Sequence, residues 1–417
     1  MKKKVCVICM LLIGAMTFGL FGCSADTTQS DVAVLQQRRD AAESYMRQMA
    51  NYLWRASEDV IYTTNAKILT EEDLAAADPS KLLVIKAGRL YRGIPYSYSG
   101  MSALNFLDYA VEPDEKGVRT VSGVHWRALN GESGSGARLG NDCSGTVQLA
   151  WDYIGGTMAR ASTRYMTKDR GYLPVGEYQN DPAENVMTVE VCEENGIEVM
   201  AEAYAQLQKA DAVVKRGESG GHTMMIATVD VVRKDDGSVD PLASAVTVLH
   251  QTSSYIKAQT CSYDETLCEM VYATFGIDDK FTFAELFEKG YLPITCKELI
   301  DPAPVQEPYV KDSLQEHTFD NILKGEFRSN RIISCVTVTI TDPDGQVVTE
   351  ATCYNPRQTG KSESTFDLRE RFTEELEQVR WGNLDLEGLA PGTYHCTHVL
   401  RDAHGAEYTV RDFDFTV

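Results

Sequence analysis

A chain of 417 residues, 43% hydrophobic and 24% charged, has the composition of a globular protein of two or three domains. Its formal net charge of −21 argues against a broad basic face for nucleic acid.

Lys2-Lys3-Lys4 precedes an apolar run from Val5 to Leu20, too short for a comfortable membrane span. Leu20-Phe21-Gly22-Cys23 follows, then a polar stretch from Ser24 to Ser30. A small residue before a cysteine at this point resembles a bacterial lipobox. The resemblance implies a signal peptide over 1–22, lipid on Cys23 and an extracytoplasmic, membrane-anchored protein; an ordinary secretory signal is the other reading. Loss of Lys2, Lys3 and Lys4 would take the formal charge from −21 to −24. Cys6 and Cys9 would leave with the signal. Apart from Cys23 and Cys143, that leaves Cys192, Cys261, Cys268, Cys296, Cys335, Cys353 and Cys396, an odd number that cannot all pair within one chain. None forms a Cys-x-x-Cys, and no Cys/His cluster has zinc spacing, so neither metal nor cofactor is expected.

Residues 23–79 read as a polar linker and a helix from Asp31 to about Tyr62, with apolar Val34, Leu35, Met46, Met49, Leu53 and Trp54 opposite Arg38, Arg39, Asp40 and Glu43. Leu82 to Gly88 reads as a helix leading into the turn Gly93-Ile94-Pro95-Tyr96. Residues 101–139 read as an insertion with a Gly/Ser-rich loop, in which His125 is a surface histidine.

Gly140-Asn141-Asp142-Cys143-Ser144-Gly145 breaks regular structure ahead of Val147, Ala150, Trp151 and Ile154 at helical spacing. Cys143 therefore falls in the first turn of a helix, where unpaired N–H groups and the helix dipole stabilise a thiolate. Those six residues alone fit a nucleophile and a buried inert thiol about equally. His222-Thr223-Met224-Met225-Ile226-Ala227-Thr228-Val229-Asp230 reads as a strand, Asp235-Asp236-Gly237 as a hairpin turn, and Ala245 to Gln251 as a strand carrying His250 near its end. A cysteine nucleophile needs a base, and the base needs an orienting partner. Cys143, His222 and His250 supply these in that order, and the Cys143 N–H would serve as an oxyanion donor.

Asp301 to Pro308 is a Pro-rich linker, 301–308, and 309–417 reads as short strands with Pro/Gly/Asp turns, a β-sandwich of immunoglobulin type. A carbohydrate or a protein is the candidate partner of this unit.

Four blocks resemble the NlpC-type bacterial cell-wall cysteine peptidases: Gly93 to Gly100, Asp142-Cys143-Ser144-Gly145, Leu207 to Val214, and Gly221-His222 with the apolar strand after it. The similarity spans roughly residues 80 to 255. It implies an α+β chain whose residues 80–300 form a papain-like domain, with the Cys143 helix on an antiparallel sheet bearing His222 and His250. It also implies Tyr96, Asp142 and Ser144 as substrate-contacting residues and peptidoglycan stem peptides as substrate. Asp142 could equally be only a helix cap. The long insertion, Met224-Met225 in the base strand and Ser99 depart from the family pattern and reshape the groove. A catalytically inactive binding lipoprotein, and an amidase or acyl-transfer enzyme with the same triad, are the rival readings.

Overall fold

Ala42, Tyr45, Met46, Met49 and Ala50 recur at helical spacing and are all buried, which makes Gln29–Asn51 an amphipathic helix seated on a core. Each fully buried methionine stabilises that seat by about 1.5–3 kcal/mol. The computed structural model describes residues 29–63, 69, 71–96, 112–121, 140–156, 162–179, 187–218, 220–354, 363–368 and 384–417. The expected signal peptide, Cys23, the turn residues 97–100 and most of the insertion, with His125, lie outside them.

The helix expected to run to Tyr62 ends at Asn51, and Leu53–Ala56 and Val60–Thr63 are strands. Tyr52, Leu53, Trp54, Val60, Ile61 and Tyr62 are aromatic, β-branched or large apolar residues that suit a pleated surface. Their partners are distant in sequence: Leu53–Ala56 pairs antiparallel with Leu90–Arg92 and parallel with Arg119–Val121. Leu82–Ile85, expected as helix, is a strand against Val60–Thr63. The insertion thus contributes an edge strand. The boundary expected at residue 79 does not separate two cores, because Trp54, Tyr62, Leu83 and Val147 share one buried cluster.

Behind the Cys143 helix lies a six-stranded antiparallel sheet, in the order Phe275–Thr282, Ala245–Gln251, Gly220–Asp230, Ala212–Gly217, Leu292–Thr295, Leu173–Pro174. The helix Cys143–Tyr153 is buried from Cys143 to Asp152, as its nearly continuous apolar run requires. Trp151 Nε1 donates to Ala210 O at 2.8 Å and fixes the helix beside the strand that opens at Ala212.

After the Pro-rich segment, two antiparallel sheets enclose a second core. One contains Val310–Asp312, Glu326–Ser329 and Ser364–Asp367; the other contains Val347–Tyr354, Ile333–Thr341, Thr393–Asp402 and Glu407–Thr416. Val336, Val338 and Ile340 alternate inward with Thr337 and Thr339, the period of a strand with one buried face. Phe327 and Phe366 meet them from the facing sheet. The chain is therefore of mixed helix and strand content, with several sheets and strands predominating.

The two units touch at the end of the Cys143 helix remote from the cysteine. His404 Nε2 donates to Asp152 Oδ2 at 2.6 Å, and Arg331 Nη1 donates to Asp152 O at 2.9 Å. Tyr45 stacks on Tyr153 at 4.7 Å, with the His404 ring edge-on to both. The Pro-rich segment is held as well: Arg38 donates to the carbonyls of Asp301 and Ala303 at 2.7 Å each. The eight described cysteines are free thiols.

Candidate active site

Two loops build the entrance. Asn141 pairs with Tyr96 in a parallel bridge, and Asn141 N donates to Pro95 O at 3.0 Å. Gly140 has φ +129, and a Cβ there would lie 1.9 Å from Pro95 O, so only glycine lets the two turns close. The Gly93-to-Tyr96 turn is itself moored: Ile94 N donates to Met49 O at 2.9 Å, using a carbonyl left over at the helix end, and Gln251 Nε2 donates to Ile94 O at 2.9 Å.

Cys143 is the first residue of its helix. Asp142 caps it, its Oδ1 accepting from Gly145 N at 2.7 Å and from Ser144 Oγ at 2.8 Å. Of the two roles open to Asp142, the structure displays the cap. Cys143 is 8% exposed, and burial, reinforced by the Asp142 carboxylate, pushes its thiol up to about 12. The backbone N–H groups of Thr223, Ser144 and Cys143 pull the other way without prevailing. The thiolate expected from the helix terminus is therefore overridden by desolvation, and the resting group is a neutral thiol.

His222 and His250 sit on neighbouring strands of the six-stranded sheet. His222 Nε2 is 2.7 Å from His250 Nδ1, the rings meeting edge to face with centroids 5.0 Å apart. Burial, then His250 and Lys215, holds the His222 imidazole well below the usual histidine range. The His222 imidazole and the Cys143 thiol are thus both held toward their neutral forms, which suits proton transfer between such groups rather than a preformed ion pair.

A cleft of about 250 Å³ is lined by Cys143 and His222 with Tyr96, Asp142, Ser144 and Gln251. Ser162, Thr163, Gly221, Thr252 and Ser253 complete it. The structure therefore gathers Tyr96, Asp142, Cys143, Ser144 and His222 at one opening, with His250 behind His222. Cys23 lies outside the described residues.

Two residues absent from the sequence reading complete the array. His250 Nε2 lies 2.8 Å from Asp279 Oδ2, and Tyr255 O–H donates to the same oxygen. The His250 hydrogen bond, helped by Tyr255 and opposed by burial, holds the Asp279 carboxyl below its usual range, so it is a carboxylate. A glycine inside a strand, Gly276, followed by Asp278-Asp279, was the available signal, since such glycines mark bulges or close approach. Among the described residues, no group of three or more His, Cys, Asp or Glu is placed to hold a metal.

No family model matches the chain, and no curated protein matches it. Four solved chains do match. One is the tetra-tandem repeat in the extending region of a large adhesion protein, 12% identical over 49% of this chain and 40% of that one, with a TM-score of 0.17. A similarity so slight bears on neither the fold nor the activity of this chain.

Proposed function

We propose that this protein is a cysteine peptidase of NlpC type, with a papain-like arrangement of helix and sheet, that hydrolyses peptide bonds in peptidoglycan stem peptides. Cys143 and His222 opening on one cleft, with His250 bonded behind the imidazole, is the observation that carries the reading. Cys143 Sγ attacks the scissile carbonyl carbon while His222 takes the thiol proton. The Cys143 N–H, at the helix terminus, donates to the developing oxyanion. Collapse breaks the C–N bond, and His222 returns the proton to the leaving amine. Water, deprotonated by His222, then releases the acyl group and restores the thiol. Tyr96, Asp142 and Ser144 contact the substrate. The lipobox-like Leu20 to Cys23 supports an anchor on the outer face of the membrane, which would hold the cleft near the wall, and the C-terminal sheets are read as an immunoglobulin-like module that binds a wall carbohydrate or a protein.

The test is purified protein against Cys143→Ala on peptidoglycan and isolated muropeptides, with products identified by mass spectrometry. Product release by the first alone is expected. Equal release by both would defeat the proposal, and new products that are not stem-peptide fragments would favour an amidase or acyl-transfer reaction. A second reading, an inert binding cleft, is favoured by the burial that keeps the Cys143 thiol neutral. It predicts muropeptide retention with no cleavage under reducing conditions.

A further inference from the structure

The strand Phe275–Thr282 carries one residue too many. Gly276 pairs with His250 and Ile277 with Leu249, but the next partner, Val248, pairs with Asp279 rather than Asp278. Asp278 is the extra residue, with φ of 57. Side chains alternate along a strand, so Gly276 and Asp279, three apart, would ordinarily face opposite sides. The bulge restores Asp279 to the side of Gly276 and His250. Gly276 keeps that side open: a Cβ there would lie 2.3 Å from His250 Nε2 and 2.8 Å from Asp279 Oδ2. The displaced Asp278 is held from outside by Arg47 of the first helix, Nη2 to Oδ1 at 2.8 Å.

A carboxylate carries no proton to give. His250 must therefore donate to Asp279 from Nε2, at 2.8 Å, and Tyr255 donates its hydroxyl to the same oxygen. Where His250 carries a single proton, that proton is on Nε2 and its Nδ1 is bare. At 2.7 Å from that atom, His222 Nε2 must be the donor, so its own proton is fixed there. The Nδ1 of His222 is left bare, able to accept.

We propose that Asp279, admitted by Gly276 and its bulge and steadied by Tyr255, is a positioning residue that sets the tautomer of His222 through His250. It keeps His222 Nδ1 free to take the Cys143 proton; transfer yields a thiolate and an imidazolium whose Nε2–H still points at His250. The catalytic purpose rests on the nucleophile-and-base reading of Cys143 and His222, but the tautomer does not.

The test is nitrogen NMR of the full chain labelled at histidine, at neutral pH. Wild type is expected to show His222 protonated on Nε2 and bare on Nδ1. In Asp279→Asn the amide NH₂ can face His250 Nε2, which reverses both tautomers. His222 is then expected to carry a substantial Nδ1–H population, and cleavage is expected to lose kcat by roughly 100-fold with KM little changed. Asp279→Glu should recover part of both. An Nδ1–H form of His222 in wild type overturns the proposal whether or not any variant folds. So does a His222 spectrum unchanged in Asp279→Asn and Asp279→Ala. Wild type that shows the expected tautomer, with its reversal in Asp279→Asn, but cleaves nothing upholds the relay and defeats the peptidase reading instead.

Discussion

His222 Nε2 and His250 Nδ1 are 2.7 Å apart, and His222 shares its cleft with a thiol that burial keeps neutral. Both reactive groups being neutral fixes the expected pH behaviour. His222 titrates well below the ordinary histidine value, so the acid limb of kcat/KM should fall below pH 6.5. His222→Ala should cost about 10²–10⁴-fold in kcat/KM, and His250→Ala less. A pH–rate profile with an acid limb above 7 would contradict this.

Alkylation of Cys143 is a second check that needs no substrate. A thiol raised to about 12 should react slowly with iodoacetamide at pH 7. Its rate should climb by about tenfold per pH unit through pH 9, because the thiolate is the nucleophile. A plateau from neutral pH downward would reveal a thiolate–imidazolium pair and refute the neutral resting state.

Gly276 leaves a readable trace. Gly276→Ala places a methyl where the His250 imidazole now lies, so the ring must move. A stability loss of about 1–3 kcal/mol in a denaturant titration is expected from overpacking. Activity should fall further than that loss accounts for, because the His222–His250 bond is displaced.

Arg39 and Asp211 form a buried ion pair at 2.9 Å, with side chains 5% and 2% exposed. Burial raises the Asp211 carboxyl despite Arg39 and the Thr295 hydroxyl, so this carboxylate depends on its partners. Arg39→Ala would strand it and should cost about 3–5 kcal/mol. Chemical denaturation checks this; a loss under 1 kcal/mol would mean the first helix contributes little.

The second core should be acid-sensitive. His398 is wholly buried, and burial, with the Arg411 cation, lowers it to about 3. The unfolded chain then binds a proton below pH 6.5 that the folded one refuses. Stability is therefore lost as pH falls from 6.5 toward 3, by up to about 5 kcal/mol at roughly 1.4 kcal/mol per unit. His398→Gln, which can still donate to Ile322 O, should flatten thermal stability across that range.

The sequence disclosed those parts of the site whose chemistry is local. Asp142 and Cys143 announce a capped helix, and His222 and His250 each lie in an apolar run of strand period. The strand Val347–Tyr354 and the Asp-Pro-Asp-Gly turn ahead of it rest on local alternation and turn chemistry too, and fall within the short strands read over 309–417. Asp279 could not be read in the same way: which side of the sheet it faces depends on one extra residue whose register is set against another strand. Leu53 to Tyr62 continues the apolar pattern of the helix before it, and only pairing with the distant Leu90–Arg92 turns part of it into strand. The thiol's protonation was hidden for a related reason. The helix terminus that favours charge is visible in six residues, whereas the desolvation that opposes it comes from the whole surrounding core.

The contacts at Asp152 also bear on how this chain can be cut. The Pro-rich run after residue 300 looks like a place to divide it, and a recombinant fragment ending there would be the obvious one to prepare. Such a fragment would lack Arg331 and His404. It would leave the Asp152 side chain and carbonyl without those donors and strip the His404 ring from the edge of the Tyr45–Tyr153 stack. Loss of activity in that fragment would then report damage to the far end of the Cys143 helix, and would be mistaken for proof that the second unit recruits substrate.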